Sequence, residues 1–465
     1  MARLLLGFEI RNTLLDSKIG IKAIDKRKGK LYVHLETKTY RANDAKWLMG
    51  YDAGRSIFDL QSWLSYLIIL VAISPYERFI PNWIYGLLAG SWLLITAVID
   101  MEGLYLAFIG AKGKNALIYL WLFYRIIAAI LGHAQFPIQI VMITFCFQMF
   151  WYYANNKKIL KRQLIIALSY FSLIVLNSIL QLRINPMISR NLAGASFEDA
   201  GLLMAGFFTV YSIVFLCTAL FVLMYTSTRL TQMSRRCIVL GLIAGSLMLL
   251  LAQYMIALLI YATMMVVFFM LLSPISARIN MIVGVIISFV ILFYIILPIQ
   301  DIAFVNRSDL KLTFILGRIG QVWNYIFDAN TKVNTLGVRP TLYSNSFSTF
   351  LAHPLWGVGS YVQDRNIVGE HSELFDTLAR FGLTGFICFA LAFGSNAIKI
   401  IKRLDKSTHI FLLYLGYLSL LFLNPGLRIT DGVTLFYLIP ALFLVWGRER
   451  PAERRRSALV RERSW

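Results

Sequence analysis

Apolar stretches long enough to cross a lipid bilayer recur along this chain from residue 57 to residue 447. A hydrocarbon core about 30 Å thick takes about 20 helical residues. Within it, only helices and closed barrels satisfy their own backbone groups. Twelve runs qualify, near 57–74, 82–99, 116–132, 136–154, 164–180, 202–226, 238–253, 255–273, 280–298, 381–398, 409–424 and 431–447. The seventh and eighth are one continuous apolar stretch, too long for one crossing and too apolar for a loop, and we divide it at Gln253-Tyr254. The expected fold class is an all-α integral membrane protein of about 12 transmembrane helices. Composition agrees: 58% of residues are hydrophobic and 15% charged, against about 45–50% and about 25% in soluble domains. That excludes an ordinary soluble enzyme and a disordered chain.

The formal net charge is +21, which raises the question of a nucleic-acid partner. Orientation answers it. With the N-terminus inside, the inner segments hold 33 of the 45 Lys and Arg, the outer segments 11, and Arg125 sits within a span. Basic residues concentrate on the cytoplasmic side of membrane proteins, so both termini are expected in the cytoplasm and no nucleic acid is needed. The Arg-rich tail 448–465 reads as a topology anchor, with binding to anionic membrane lipids as a second reading. Residues 1–56 form a basic cytoplasmic segment without the short apolar core of a cleavable signal. Residues 30–40 alternate loosely, as a short hairpin would. The four cysteines, Cys146, Cys217, Cys237 and Cys388, fall in or beside apolar runs without C-x-x-C spacing. We expect no disulfide framework and no metal site.

The implied organisation is a cytoplasmic segment 1–56, transmembrane helices 1–9 over 57–298, a large outer loop 299–380, transmembrane helices 10–12 over 381–447, and the cytoplasmic tail 448–465. Acidic residues avoid the span centres, which weighs against a transporter coupled to protons or sodium. Polar chemistry gathers instead in the long loop, and long ordered loops are usually functional. It carries seven cations, Arg307, Lys311, Arg318, Lys332, Arg339, Arg365 and Arg380, against seven carboxylates. Individual arginines therefore matter more than the sum.

Two pieces of the loop read as helices. Leu312, Ile315, Leu316, Ile319, Val322, Trp323 and Ile326 follow an amphipathic spacing, with Arg318, Gln321 and Tyr325 on the opposite face. Such a helix lies at the membrane surface and holds Arg318 where a lipid diphosphate would sit. The alternative for Arg318 is contact with ordinary lipid or a nearby Asp. The second piece runs from Glu370 through His371 to Gly385 and into span ten, with His371 sharing a helical face with Leu374, Phe375 and Leu378. A neutral imidazole there is able to accept a proton from a hydroxyl; a hydrogen-bonded structural histidine is the other reading. His353, among Pro354, Gly357 and Gly359, reads as a turn residue. Arg190 is one of two basic residues in the loop 181–201. Arg125, in span three, either lines a polar cavity or extends to an interface.

Taken together these residues resemble the O-antigen ligase and surface-polysaccharide polymerase family. The resemblance rests on His353-Pro-Leu-Trp-Gly-Val-Gly359, then His371-Ser-Glu-Leu followed by Gly382-Leu-Thr-Gly385, with Arg318 and Trp323 upstream and Arg190 and Gly201 in the earlier outer loop. It spans roughly 160–400 and is carried by about forty residues. The resemblance implies a GT-C-like glycosyltransferase acting on the outer face of the bacterial cytoplasmic membrane. Its donor is an undecaprenyl-diphosphate-linked oligosaccharide, used without metal or other cofactor. It implies catalytic roles for His371, which deprotonates or orients the acceptor hydroxyl, and for Arg318 and Arg190, which hold the diphosphate. Arg125, Arg307, Arg339, Tyr325, Gln321 and His353 stand beside them as candidate substrate-binding residues. A chain-length regulator is a further candidate partner. Ser372 stands where the family commonly has Asn, and Gln253-Tyr254-Met255 where ligases often have Ser-Arg. The polymerase branch is therefore the expectation, with ligase, or a non-enzymatic flippase of lipid-linked glycans, as alternatives.

Overall fold

The computed structural model describes residues 51–76, 79–110, 115–131, 137–184, 209–252, 254–276, 338–359, 362, 364–404, 407–425 and 427–447. The chain divides into two units, Met1–Tyr51 and Asp52–Trp465. All regular structure among the described residues is helical. In chain order the helices are α1 (Tyr51–Ala72), α2 (Asn82–Phe108), α3 (Ala116–Leu131), α4 (Ile138–Tyr153), α5 (Lys157–Ile184), α6 (Val210–Thr226), α7 (Gln232–Ala252), α8 (Met255–Leu272), α9 (Val338–Ala352), α10 (Glu373–Arg403), α11 (Ser407–Leu423), α12 (Ile429–Val433) and α13 (Ile439–Trp446). A π-helical turn, Thr434–Leu438, joins the last two.

Among the described residues, five helical segments are long and apolar enough to cross a membrane: α2, α5, α7, α10 and the run Ile429–Trp446. Shorter apolar helices accompany them at Phe58–Ala72, Leu117–Leu131, Ile138–Tyr153, Val210–Thr226, Ile256–Leu272 and Thr408–Leu423. Their outward faces are apolar: Leu94, Ile130, Leu131, Leu180, Ile184 and Leu240 are all well exposed. A surface of this kind calls for lipid rather than water. The interior is correspondingly polar in places. Gln61 donates to Thr96 and Tyr152, Gln163 donates to Ser65, and Tyr437 donates to Gln163. Away from water, each such group is expensive unless paired, so these bonds fix how α1, α2, α4, α5 and the final segment sit against one another.

The long apolar stretch does divide near Gln253-Tyr254: α7 ends at Ala252 and α8 begins at Met255. Span nine, 280–298, lies outside the described residues.

Helix α10 carries Glu373, Asp376 and Arg380 in its first turns. It packs antiparallel to α3: Tyr124 donates its hydroxyl proton to the Phe381 carbonyl at 3.0 Å, and Lys399 donates to the Asn115 side chain at 2.7 Å. It is broken once, at Gly382, where φ is 61° and ψ −168°. That backbone is open only to glycine. The break leaves carbonyls and amides without helical partners, and the turn that contains Pro354 and Gly357 supplies them. Val358 and Gly359 donate to the Ala379 and Arg380 carbonyls, while Leu383 and Thr384 donate to Pro354 and Leu355. The two glycine-bearing motifs of the sequence are thus the two halves of one backbone clasp.

Candidate functional site

The C-terminal half of α3, the start of α10 and the segment after α11 enclose a cavity of about 280 Å³. Arg125, Glu370, Glu373, Asp376, Thr377, Arg380, Phe381 and Pro425 line it. Two cations and three carboxylates in an otherwise apolar bundle make this the candidate functional site, because ionisable groups are costly among apolar helices.

Each charged group is held differently. Asp376 is saturated: it accepts from the Ser346 hydroxyl at 2.6 Å and from the backbone amides of Glu370 and Ser372 at 3.2 and 3.1 Å. Glu370 pairs with Arg380 at 2.7 Å and stands 3.8 Å from Arg365. Its φ is 58°, the one positive value at a described non-glycine residue. Strain of this kind is kept where a site requires it. Here it turns the Glu370 amide toward Asp376 and the Glu370 carboxylate toward Arg380.

Arg125 makes no hydrogen bond or ion pair to protein among the described residues, and its Nε is buried without a partner. Its guanidinium lies over the rings of Phe381, at 4.6 Å from the centroid, and Trp121, at 5.3 Å. Contacts of this type contribute about 2 kcal/mol when desolvated, and they leave the N–H groups of the fork unspent. Arg125 shares electrostatic contact with Glu373 and Arg380. Glu373 accepts from the Leu427 backbone amide.

Helix α9 buttresses the segment leading into α10. On one of its faces Asn345 donates to the Arg365 carbonyl and Thr349 to the Ile367 carbonyl, and Ser346 accepts from the Gly369 amide. Gly369 is required there, since a Cβ would meet the Leu342 carbonyl oxygen at 2.2 Å.

Of the candidate residues, Arg125 lines the cavity. His371 precedes α10 rather than lying on its face. The helix starts at Glu373 because Ser372 caps it, accepting from the Phe375 amide. The helical register expected for His371 is corrected accordingly. Its ring is half-buried, with Nδ1 3.1 Å from the Gly369 carbonyl. It does not line the cavity, although its neighbour Glu370 does. His353 is an exposed turn residue whose amide donates to Thr349 and Phe350. Arg339 donates to the Leu423 carbonyl, as does Tyr343, so it ties α9 to the end of α11. Arg190, Arg307, Arg318, Gln321 and Tyr325 lie outside the described residues.

In the sequence, Glu373, Asp376 and Arg380 stand out only as members of a neutral charge census. Sequence reasoning also misses a further pair: Asp431, fully buried, which accepts from Ser212, and buried Arg428. The spacing Arg428-Ile-Thr-Asp431 inside an apolar run is the available signal. Among the described residues no three His, Cys, Asp or Glu side chains converge as metal ligands do.

No protein-family model and no curated protein matches the chain.

Proposed function

We propose that this chain is a polymerase of surface polysaccharide: a metal-independent glycosyltransferase of the bacterial cytoplasmic membrane. It has about twelve spans in a GT-C-like arrangement, with both termini cytoplasmic. It joins oligosaccharide repeat units carried on undecaprenyl diphosphate, at the outer face.

The observation that carries this reading is the cavity beside the motif. Among the described residues the Arg125 guanidinium has no hydrogen-bond or ion-pair partner, and its planar fork matches phosphate oxygens. Glu373, from the motif His371-Ser-Glu-Leu, lines the same cavity. Nδ1 of His371 donates to the Gly369 carbonyl at 3.1 Å, which holds the ring against the segment that carries Glu370. Under this orientation the cavity opens on the side where the donor is presented. Preorganised cations facing a leaving diphosphate stabilise the charge that develops there, and cleavage of the sugar–diphosphate bond drives transfer.

The test is genetic and chemical together. Removing the gene should leave a single repeat unit on undecaprenyl diphosphate; accumulation of finished polymer on lipid would instead make the chain a ligase. His371→Ala should insert at normal abundance and lose long-chain polymer. Wild-type polymer length in that variant would remove His371 from the reaction.

A further inference from the structure

We propose that Glu373 takes the proton from the acceptor hydroxyl during sugar transfer, with His371 as a positioning residue. This inference rests on the transferase reading.

Three carboxylates line the cavity, and two are committed elsewhere. Asp376 receives three donors, one hydroxyl and two amides. Glu370 is held by Arg380 and faces Arg365. Glu373 is different. It has one backbone donor, Leu427, and forms no ion pair with Arg125 or Arg380 among the described residues. Arg125 likewise forms none, yet the two groups act on each other electrostatically. A half-buried cation and a half-buried carboxylate within electrostatic reach are drawn toward each other. Here the aromatic rings of Trp121 and Phe381 hold the guanidinium, and Ser372 fixes the helix start that carries Glu373. Both groups line the cavity.

That arrangement suits a displacement at an anomeric carbon. The acceptor hydroxyl passes its proton to the Glu373 carboxylate as its oxygen bonds to the anomeric carbon of the donor sugar. The bond from that carbon to the diphosphate oxygen breaks, and its electron pair leaves on the diphosphate beside Arg125. Glu373 returns its proton to water when the products depart. His371 does not reach the cavity wall; its bond to the Gly369 carbonyl fixes the backbone just before Glu370 and the cap of α10.

The test uses the full chain in lipid nanodiscs, with a synthetic undecaprenyl-diphosphate-linked repeat unit as both donor and acceptor. Glu373→Gln should lower kcat by about 10²–10⁴-fold, the usual range for loss of a positioned base, with donor binding unchanged. Glu373→Gly should be equally slow and recover about tenfold or more in added formate, a small carboxylate able to enter the vacated space. Loss without formate rescue would assign Glu373 a structural role and overturn the inference. A near wild-type rate for Glu373→Gln, with His371→Ala inactive, would also overturn it while leaving the transferase reading intact. Absence of any transfer by the wild-type chain would sink that reading itself.

Discussion

Gly357 and Gly382 each leave room for the backbone that immediately precedes the other. A Cβ on Gly357 would meet the Arg380 carbonyl carbon at 2.4 Å, and one on Gly382 would meet the Leu355 carbonyl carbon at 2.4 Å. Both have positive φ, 67° and 61°. The clasp they form sets the direction of the first turns of α10, and therefore where Glu373, Asp376 and Arg380 point.

Gly382→Ala should destabilise the folded chain by about 3 kcal/mol or more, combining a backbone region reserved for glycine with a main-chain clash. Gly394→Ala is the internal control. Nothing lies within 4 Å of its Cβ position, and removing a helical glycine stabilises by about 0.5–1 kcal/mol. Thermal melts in detergent should move in opposite directions; equal shifts would mean the clasp is dispensable.

Arg125→Lys should retain the fold and lose about tenfold in chain synthesis, because an ammonium keeps the charge but neither the planar stacking on Phe381 nor the fork. Arg125→Ala should lose more. If Lys performs as well as Arg in a polymer-length assay, only the charge matters at this position.

Ser346→Ala should cost about 1–3 kcal/mol, the usual penalty when a buried acceptor loses a donor. Two bonds go at once, the one to Asp376 and the one from Gly369. Added protease should therefore cut near residues 364–369 sooner than in wild type. Unaltered cleavage would show that α9 does not secure that segment.

Cys237 is exposed near the start of α7, and Asn366 is exposed in the segment before α10. With both termini cytoplasmic, an impermeant maleimide applied to intact cells should label Asn366→Cys and leave Cys237 untouched until permeabilisation. The reverse pattern would invert the orientation and place the cavity on the cytoplasmic side.

Much of the helical layout is legible in the sequence, because a long apolar run has few alternatives in a membrane. The division near Gln253 follows from the length of the apolar stretch and the polar Gln253-Tyr254 within it. Helix α9 is not legible in the same way: its residues Tyr343-Ser-Asn-Ser-Phe-Ser-Thr349 show no apolar stripe, since its polar side chains face partners far along the chain. The spacing puts His371 on a helix that in fact begins at Glu373, because a Ser just before an acidic first turn reads equally well as interior or as cap until its hydrogen bond is known.

Sequence alone determined that this chain is helical and apolar enough for a membrane, since hydrophobic length and the absence of soluble-protein charge density leave little else. It also marked the histidine and glycine motifs. It did not determine which charges meet. Arg125 stands 248 positions before Glu373 by their numbers, and only the antiparallel packing of α3 on α10 brings them to one cavity. Whether a carboxylate is saturated, ion-paired or left open depends on neighbours such as Ser346 and Arg380, contributed by other turns and other helices. Such contacts are set by three-dimensional packing, so the residue types and their spacing do not encode them in any form readable along the chain.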